Sequence, residues 1–526
     1  SPVCSSTRAS LLTGRHFLRT GVWSVTRGGE KMRASEVTIG EHFGAAGYRT
    51  GLFGKWHNGA QYPYRPNDQG FEQFFGFMGG HLTRYFDATL EENGAPVATN
   101  GFVSDVLTDA AIRFIEDKDE RPFLAVVAFN TPHSPFELPP AEFEHFRDKG
   151  LSDIDAAIYG LVRNIDTNFG RLLEALDTAD LDDNTIVVFL SDNGPAFPGG
   201  NARFNGDLRG HKGRTTEGGI RVPLLVHWPG RIEGGRRIGA LAQHIDLLPT
   251  LAELAGIAEL DGIDGESLVP ALEGGTPTDR VIFTSHFRNT QRSSQRAVLP
   301  WPAAVHLSDW TAVRENKGAW ALYDLASDPG QEESVAADNP DLLARLAGEY
   351  EDYFEEVTAQ GFETLPAVLS PDTPARVALP VHEADIRGDA FDYAHQYGWA
   401  EDWLVARGGN GQASWPLRVT ETTDIEILLS YATTAGDTAL SVRAGDAHSE
   451  IRLDRFESAE IPGRRVYETG EAVERTWREA AILGTTLEPG THHITLEAPG
   501  PGLLVKGVTV VPTRASNATS SAQEAP

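Results

Sequence analysis

Three short runs, FLAVVAF (Phe123–Phe129), TIVVFL (Thr185–Leu190) and VPLLVHW (Val222–Trp228), are almost continuously apolar and rich in Val, Leu and Phe. A strand covered on both faces has this texture, so the runs predict buried strands. Between such runs the apolar positions recur at helical spacing, as in EVTIGEHFGAAGY, where Gly47 is placed to stop a helix. Strand and helix alternate in this way over residues 1–275, which predicts an α/β domain. Residues 276–365 add a strand (VIFTSHF), a turn (LYDLASDPG) and a helix (NPDLLARLAGEYEDYFEEV), a smaller α/β subdomain. A proline-spaced stretch covering 366–385 then reads as a linker. From 386 to 513 the period drops to two. DIEILLSY alternates Ile425, Ile427, Leu429 and Tyr431, and ALSVRAG, EIRLDRF, HHITLEA and LLVKGVTVVP continue the pattern between Gly and Pro turns. That predicts an appended antiparallel β-sandwich. Residues 514–526 are a polar tail, in which Asn517 heads a chance N-x-T sequon.

The length of 526 residues fits this division, being too long for one core. Charge changes the picture more. Lys plus Arg number 45 against 75 Asp plus Glu, a formal net charge of −30. Such a surface repels nucleic acid and anionic membrane, so neither is an expected partner, and an anionic substrate would need a local basic pocket. No apolar run approaches the length of a transmembrane helix. The single cysteine, Cys4, excludes an internal disulfide and any multi-cysteine metal site.

Cys4 itself opens the string CSSTRASLLTGRH. One reading is a small buried hydrophobe. The other starts from its polar neighbours, a helix beginning at or just after it and ending at Gly14, and Arg8 at i+4 on the same helix face. A helix N-terminus beside an arginine suits an anion. The residues alone leave these readings evenly matched.

Cys4-x-Ser6-x-Arg8 followed by Leu12-Thr13-Gly14-Arg15 resembles the signature of the sulfatases, in the alkaline phosphatase-like superfamily, whose cysteine is converted to Cα-formylglycine. Four further segments match the family in order. YRTGLFGKWHNG carries Lys55 and His57, FLAVVAFNTPHSPF brings His133, TIVVFLSDNG brings Asp192 and Asn193, and LRGHKGRTTEGGIRVP brings Lys212. Lys55 and His57, His133, and Asp192 with Asn193 each follow an apolar run, and ligands of open α/β sheets bind beyond the carboxyl ends of the strands.

The resemblance implies a sulfuric ester hydrolase whose formylglycine hydrate attacks sulfur, forms a covalent sulfo-enzyme and then expels sulfate. It implies that Arg8 and His57 contact the hydrate, with His57 the base for expulsion. Lys55, Lys212 and His133 hold sulfate oxygens, with His133 or Lys212 protonating the leaving alcohol, and Asp192 and Asn193 bind one Ca²⁺. The family's metal site also uses an Asp-Asp pair on a first strand upstream of the cysteine motif, so the true N-terminus and that strand are expected before Ser1. A formylglycine-generating maturation enzyme and a periplasmic or secreted location are implied too. A sulfated carbohydrate is the expected substrate. His81, Arg84, Tyr85, Arg203 and His211 are either sugar contacts or ordinary loop residues, and Trp399, Trp403 and Trp415 either stack on sugars or fill the sandwich core. Two alternatives stay open: a phosphonate or phosphate ester hydrolase with the same motif, and a non-catalytic carbohydrate-binding relative.

Overall fold

A computed structural model describes residues 1–526 except 198–204, 259, 276–278, 288–297, 374–375, 396–398, 400, 435–437, 469, 471, 499 and 514–526. Arg203 and the polar tail with Asn517 thus lie outside the described residues. The opening helix spans Cys4–Thr13, and Gly14 closes it in the left-handed region (φ 67), its N–H donating to the Ser10 carbonyl at 2.9 Å. Thr38 caps the next helix, Ile39–Ala45, through a capping box with Glu41.

The N-terminal half is built on a five-stranded sheet, in the order Ala95–Ala98, Thr89–Glu92, Gln73–Phe77, Arg49–Lys55, Phe123–Ala128. Arg49–Lys55 is its centre and runs parallel to both Gln73–Phe77 and Phe123–Ala128. It is buried along its whole length. Helices cover both faces. Val103–Ile115 and the long helix Asp153–Thr178 pack on one, and the opening helix and Ile39–Ala45 on the other. Val187–Leu190 pairs antiparallel with Leu224–His227 in a separate two-stranded sheet.

The three runs expected as buried strands do form strands, but their burial differs. Phe123–Ala128 and Val187–Leu190 are half-buried throughout, and Leu224 and Leu225 are exposed. The cause is a cavity of 2210 Å³ that runs between the first two strands and is lined by both. Cys4 lines the same cavity.

A four-stranded antiparallel sheet follows, Ala321–Asp324, Trp310–Arg314, Ala303–Leu307 and Val281–Ser285, with the helix Pro340–Thr358 packed on it. The stretch expected as a linker contributes structure instead. Ala367–Leu369 pairs with Gly411–Val419, and Val377–Pro380 pairs with Pro501–Pro512. Pro380 stands at the end of its strand, where a missing N–H costs little.

Two six-stranded sheets then face each other. Ile425, Ile427, Leu429 and Tyr431 all point inward from Thr423–Thr433, as the alternation predicts, and meet Leu440, Val442, Ile494 and Leu496 of the other sheet in one core. Trp415 is buried at the centre and Trp403 at the edge. The sandwich is tied to the N-terminal half in two places. Strand Arg465–Tyr467 pairs with Phe136–Glu137, and the buried Glu137 carboxylate accepts from the Tyr85 and Arg464 backbone N–H groups, each at 2.7 Å. At the second, Lys31 and Glu383 form a buried ion pair at 2.7 Å.

Candidate active site

Cys4, Arg8, Lys55, His57, His133, Asp192, Asn193 and Lys212 all line the same large cavity. Cys4 and Arg8 reach it from the opening helix, Lys55 from a strand end, His57, His133, Asp192 and Asn193 from the segments that follow strands, and Lys212 from a loop. Lys55 is the last residue of the central strand, and Arg8 Nη1 donates to its carbonyl at 2.7 Å, locking the opening helix to that strand end. His57 follows in the left-handed region (φ 68), a conformation held by its own N–H donating to the Met78 carbonyl at 3.0 Å. Its ring lies so close to Gly80 that a Cβ there would sit 2.3 Å from the imidazole, so only glycine fits.

The tautomers follow from the partners. His57 Nε2 lies 2.9 Å from the Val25 carbonyl, which can only accept, so Nε2 carries the proton; Nδ1 is buried without a hydrogen bond and holds the free lone pair. Likewise His133 Nδ1–H donates to the Ser134 carbonyl at 2.9 Å, leaving Nε2 as the available nitrogen. Tyr85, fully buried, donates to the His133 carbonyl at 2.7 Å and fixes that turn from beneath. Lys212 sits on a tight loop whose backbone N–H donates to Pro195 O at 2.9 Å, while the next N–H, of Gly213, donates to Pro2 O at 3.0 Å beside Cys4.

The electrostatics converge on Cys4. Burial pushes its thiol up, but Lys212 and Lys55, aided by Arg8 and opposed by Asp192, outweigh burial and bring it below the ordinary value. Lys55 is driven down to about 8, by burial first and then by Arg8 and Lys212 against the opposing Cys4 and Asp192 charges. Burial holds His57 and His133 well below the ordinary imidazole range, with Lys55 adding to the effect on His57 and Lys212 to that on His133, so both rings are neutral near pH 7. Burial raises Asp192, yet Arg8, Lys212 and Lys55 bring it below the usual carboxylate value. An anion at the Cys4 position therefore meets Lys212, Lys55 and Arg8 within a buried site.

Asp192 and Asn193 follow strand Val187–Leu190 directly, and Asn193 Oδ1 is buried without a hydrogen-bond donor. An ionised carboxylate beside an orphaned amide oxygen is a hard-oxygen pair, which suits Ca²⁺ or Mg²⁺, although the two ligands fill only part of a coordination shell.

The candidate sugar contacts divide. His81, His211 and Trp399 line the cavity, with Trp399 brought in from the sandwich; its ring centroid lies 5.8 Å from that of His81 and 6.3 Å from that of His133. Arg84 is turned away to the Asp87 carbonyl and Glu474, and Tyr85 lies beneath His133. Trp403 and Trp415 belong to the sandwich interior.

Two contributions escaped the sequence reading. His244 lines the cavity, donates from Nε2 to the Ser191 carbonyl at 2.9 Å and acts on Asp192. Only the HIDLLPT string hinted at it. Glu217 is buried, paired with His306 at 2.8 Å and with Arg221, and anchors the loop that carries Lys212 onto the smaller subdomain. The glycines after it have no room for a side chain: a Cβ on Gly218 or Gly219 would sit 2.4 Å or 2.0 Å from a carbonyl of the Lys212 loop.

A buried cysteine ringed by cations, on an α/β scaffold with parallel strands, suits the binding of an anionic ester. Residues 1–257 match the family described as Sulfatase, and residues 211–355 match the one described as N-sulphoglucosamine sulphohydrolase, C-terminal. Dog (Canis lupus familiaris) N-acetylgalactosamine-6-sulfatase is 32% identical over 370 residues, 63% of this chain and 67% of that protein. Human (Homo sapiens) arylsulfatase A is 31% identical over 416 residues, 65% of this chain and 77% of that protein. Among solved structures, Ps i-CgsB in complex with k-i-k-neocarrahexaose superposes with a TM-score of 0.63 at 28% identity, covering 69% of this chain and 85% of that one. The chain belongs to the sulfatase family and is a sulfatase with the alkaline phosphatase-like fold. Among the described residues no helix is long and apolar enough to cross a membrane.

Proposed function

We propose that the protein hydrolyses a sulfate ester on a carbohydrate, with Cys4, as formylglycine, as the nucleophilic residue. The observation that carries this reading is the convergence of Arg8, Lys55, His57, His133 and Lys212 on the cavity that Cys4 lines. The cations among them favour an anion there, lowering the thiol against its own burial. Its sulfur stands where the hydrated aldehyde would present its oxygens, and the field that favours a thiolate there also favours an alkoxide and a sulfate. Formylglycine supplies a geminal diol, one of whose hydroxyls attacks sulfur. Lys55 and Lys212 hold the equatorial sulfate oxygens and Arg8 steadies the diol. Neutral His57, with its lone pair on Nδ1, would take the proton of the second hydroxyl as that oxygen re-forms the aldehyde C=O and the C–O bond to sulfate breaks, releasing sulfate. His133 Nε2 or Lys212 delivers a proton to the departing sugar oxygen.

Asp192 and Asn193 would hold a divalent cation, Ca²⁺ by the family resemblance, which would polarise the sulfate. The remaining oxygens come, in this reading, from an Asp-Asp pair on a strand N-terminal to Ser1. The half-buried strands Phe123–Ala128 and Val187–Leu190, whose apolar texture suits full burial, support a further strand seated between them.

A carbohydrate is favoured by the Trp399 indole at the cavity wall beside His81 and His133, a surface on which a pyranose ring can stack. The relatives agree in kind, since one is named for N-acetylgalactosamine and a structural neighbour was solved with a neocarrahexaose. Maturation by a formylglycine-generating enzyme and a periplasmic or secreted location complete the proposal. Mass spectrometry of the Cys4 peptide, with parallel assays on aryl sulfate and phosphate diester, tests it. An aldehyde at Cys4 and a preference for sulfate are expected. An unmodified thiol in active enzyme, or a preference for the phosphate ester, overturns it.

A further inference from the structure

A second cluster of ligand-type side chains lies where the sandwich docks, apart from the residues assigned to the Cys4 site. Glu30 comes from the loop after the opening helix. His382 and Glu383 form the 3-10 turn Val381–Glu383, between strands Val377–Pro380 and Asp385–Gly388. One ligand atom of each lies within 4.8 Å of the others, and all three are withdrawn from water.

Their own partners do not account for them. Glu383 Oε2 accepts from Lys31 Nζ and from Gln61 Nε2, each at 2.7 Å, but its Oε1 accepts nothing. Neither oxygen of Glu30 accepts a hydrogen bond. His382 Nε2 stands 3.4 Å from Glu30 Oε1 and 4.0 Å from Glu383 Oε1, longer than a charge-assisted hydrogen bond in both cases. A buried carboxylate left in this state is unfavourable unless a cation completes it. Ligands that share a tetrahedral ion at about 2.0–2.2 Å lie roughly 3.4 Å from one another, the spacing between His382 and Glu30, and a small closure of Glu383 would bring in the third.

We propose that Glu30, His382 and Glu383 bind a first-row divalent cation, with Zn²⁺ the ion of choice, and that this ion pins the sandwich to the catalytic half. One imidazole nitrogen with two carboxylates selects such an ion over Ca²⁺, which prefers oxygen alone. The site is separate in chemistry from the oxygen pair Asp192 and Asn193. All three ligands line the large cavity, which gives the ion an entry path. The rival occupant is a proton, with His382 as an imidazolium between the two carboxylates.

The test is Zn²⁺ binding to the full-length protein after chelator stripping, by equilibrium dialysis and elemental analysis. One tight Zn²⁺ per chain is expected, with X-ray absorption showing one imidazole nitrogen and carboxylate oxygens. His382→Ala should weaken binding by at least about 100-fold. Glu30→Gln, close in shape and neutral, should do so too and guards against a folding failure in the alanine variant. Asp192→Asn should keep the Zn²⁺, which separates this site from the Cys4 site whatever becomes of the latter. Wild-type protein that holds no Zn²⁺, variants that hold as much as wild type, or a His382 imidazolium signal unmoved by added Zn²⁺ would overturn the proposal.

Discussion

The interior of the sandwich and the catalytic cavity are both withdrawn from water, and they handle burial in opposite ways. In the sandwich Trp415, Ile427, Leu429, Val442, Leu496 and Val508 bring hydrocarbon against hydrocarbon, and their burial contributes stability directly. Around the cavity Cys4, Lys55, His57, Asp192 and His133 bring ionisable groups into a buried space where their charges act on one another. Lys55 shows the scale. Its pKa falls from 10.5 to about 8, so keeping it charged costs roughly 3 kcal/mol relative to water. The sandwich core is a reserve of stability, whereas the cavity gives stability up for a field aimed at one side chain.

Substitutions in the two regions should therefore separate rate from stability. Cys4→Ala should lower turnover by on the order of 10⁴-fold or more, because the attacking group itself is removed, while the thermal midpoint stays near that of the parent. Trp415→Ala should cost about 3–5 kcal/mol in denaturant unfolding and leave the rate per folded molecule unchanged. A Cys4→Ala protein with measurable turnover, or a Trp415→Ala protein slowed in proportion to its loss of stability, would erase the contrast.

Lys212→Ala comes next, with an expected loss of about 10²–10³ in kcat, the range for removing one fixed donor to developing negative charge. Its loop is held by the close approach of Gly218 and Gly219, so its position does not depend on its own charge. An effect confined to KM would move Lys212 from the transition state to plain substrate binding.

What the sequence revealed tracks how local each feature is. The helix at Cys4 and its stop at Gly14 were legible because cap and spacing lie within one short segment. The alternation of Ile425, Ile427, Leu429 and Tyr431 was legible because one strand carries it. Residues 366–385 were misread as a linker because Pro366 and Pro380 flank or end short strands that only the paired strands reveal. The half-burial of Phe123–Ala128 was invisible because it depends on what lies across a cavity rather than on the run itself. His244 and Glu217 act through partners 53 and 89 residues away, and no spacing rule reaches that far.

The pH profile sharpens the electrostatic half of the comparison. His57 and His133 sit well below 6.5, so neither should bend kcat/KM between about pH 6 and 7.5. Lys55 loses its proton near 8, and without its charge the sulfate is held less well, so kcat/KM should fall about tenfold per unit above that point. The Cys4 charge raises Lys55, so replacing the thiol by a neutral diol moves the limb downward in pH. Lys55→Arg, whose guanidinium keeps its proton, should remove the limb even where it lowers the plateau. A limb that persists in that variant belongs to another group.

The smallest expected effect lies where the two regions touch. Trp399 stands at the cavity and is tethered on its C-terminal side: the buried Asp402 carboxylate accepts from the Trp403 N–H at 2.8 Å, and Asp402 N–H donates to the Trp399 carbonyl at 3.0 Å. Ring stacking contributes about 0.5–1.5 kcal/mol, so Trp399→Ala should lower kcat/KM on a sulfated oligosaccharide by up to about tenfold. A small aryl sulfate, which does not extend to that wall, should lose less. Trp399→Phe should recover most of the difference, since the stacking face remains. Equal losses on both substrates would instead mean that the indole packs His81 and His133 into place, and the sandwich would then shape the catalytic histidines rather than the sugar.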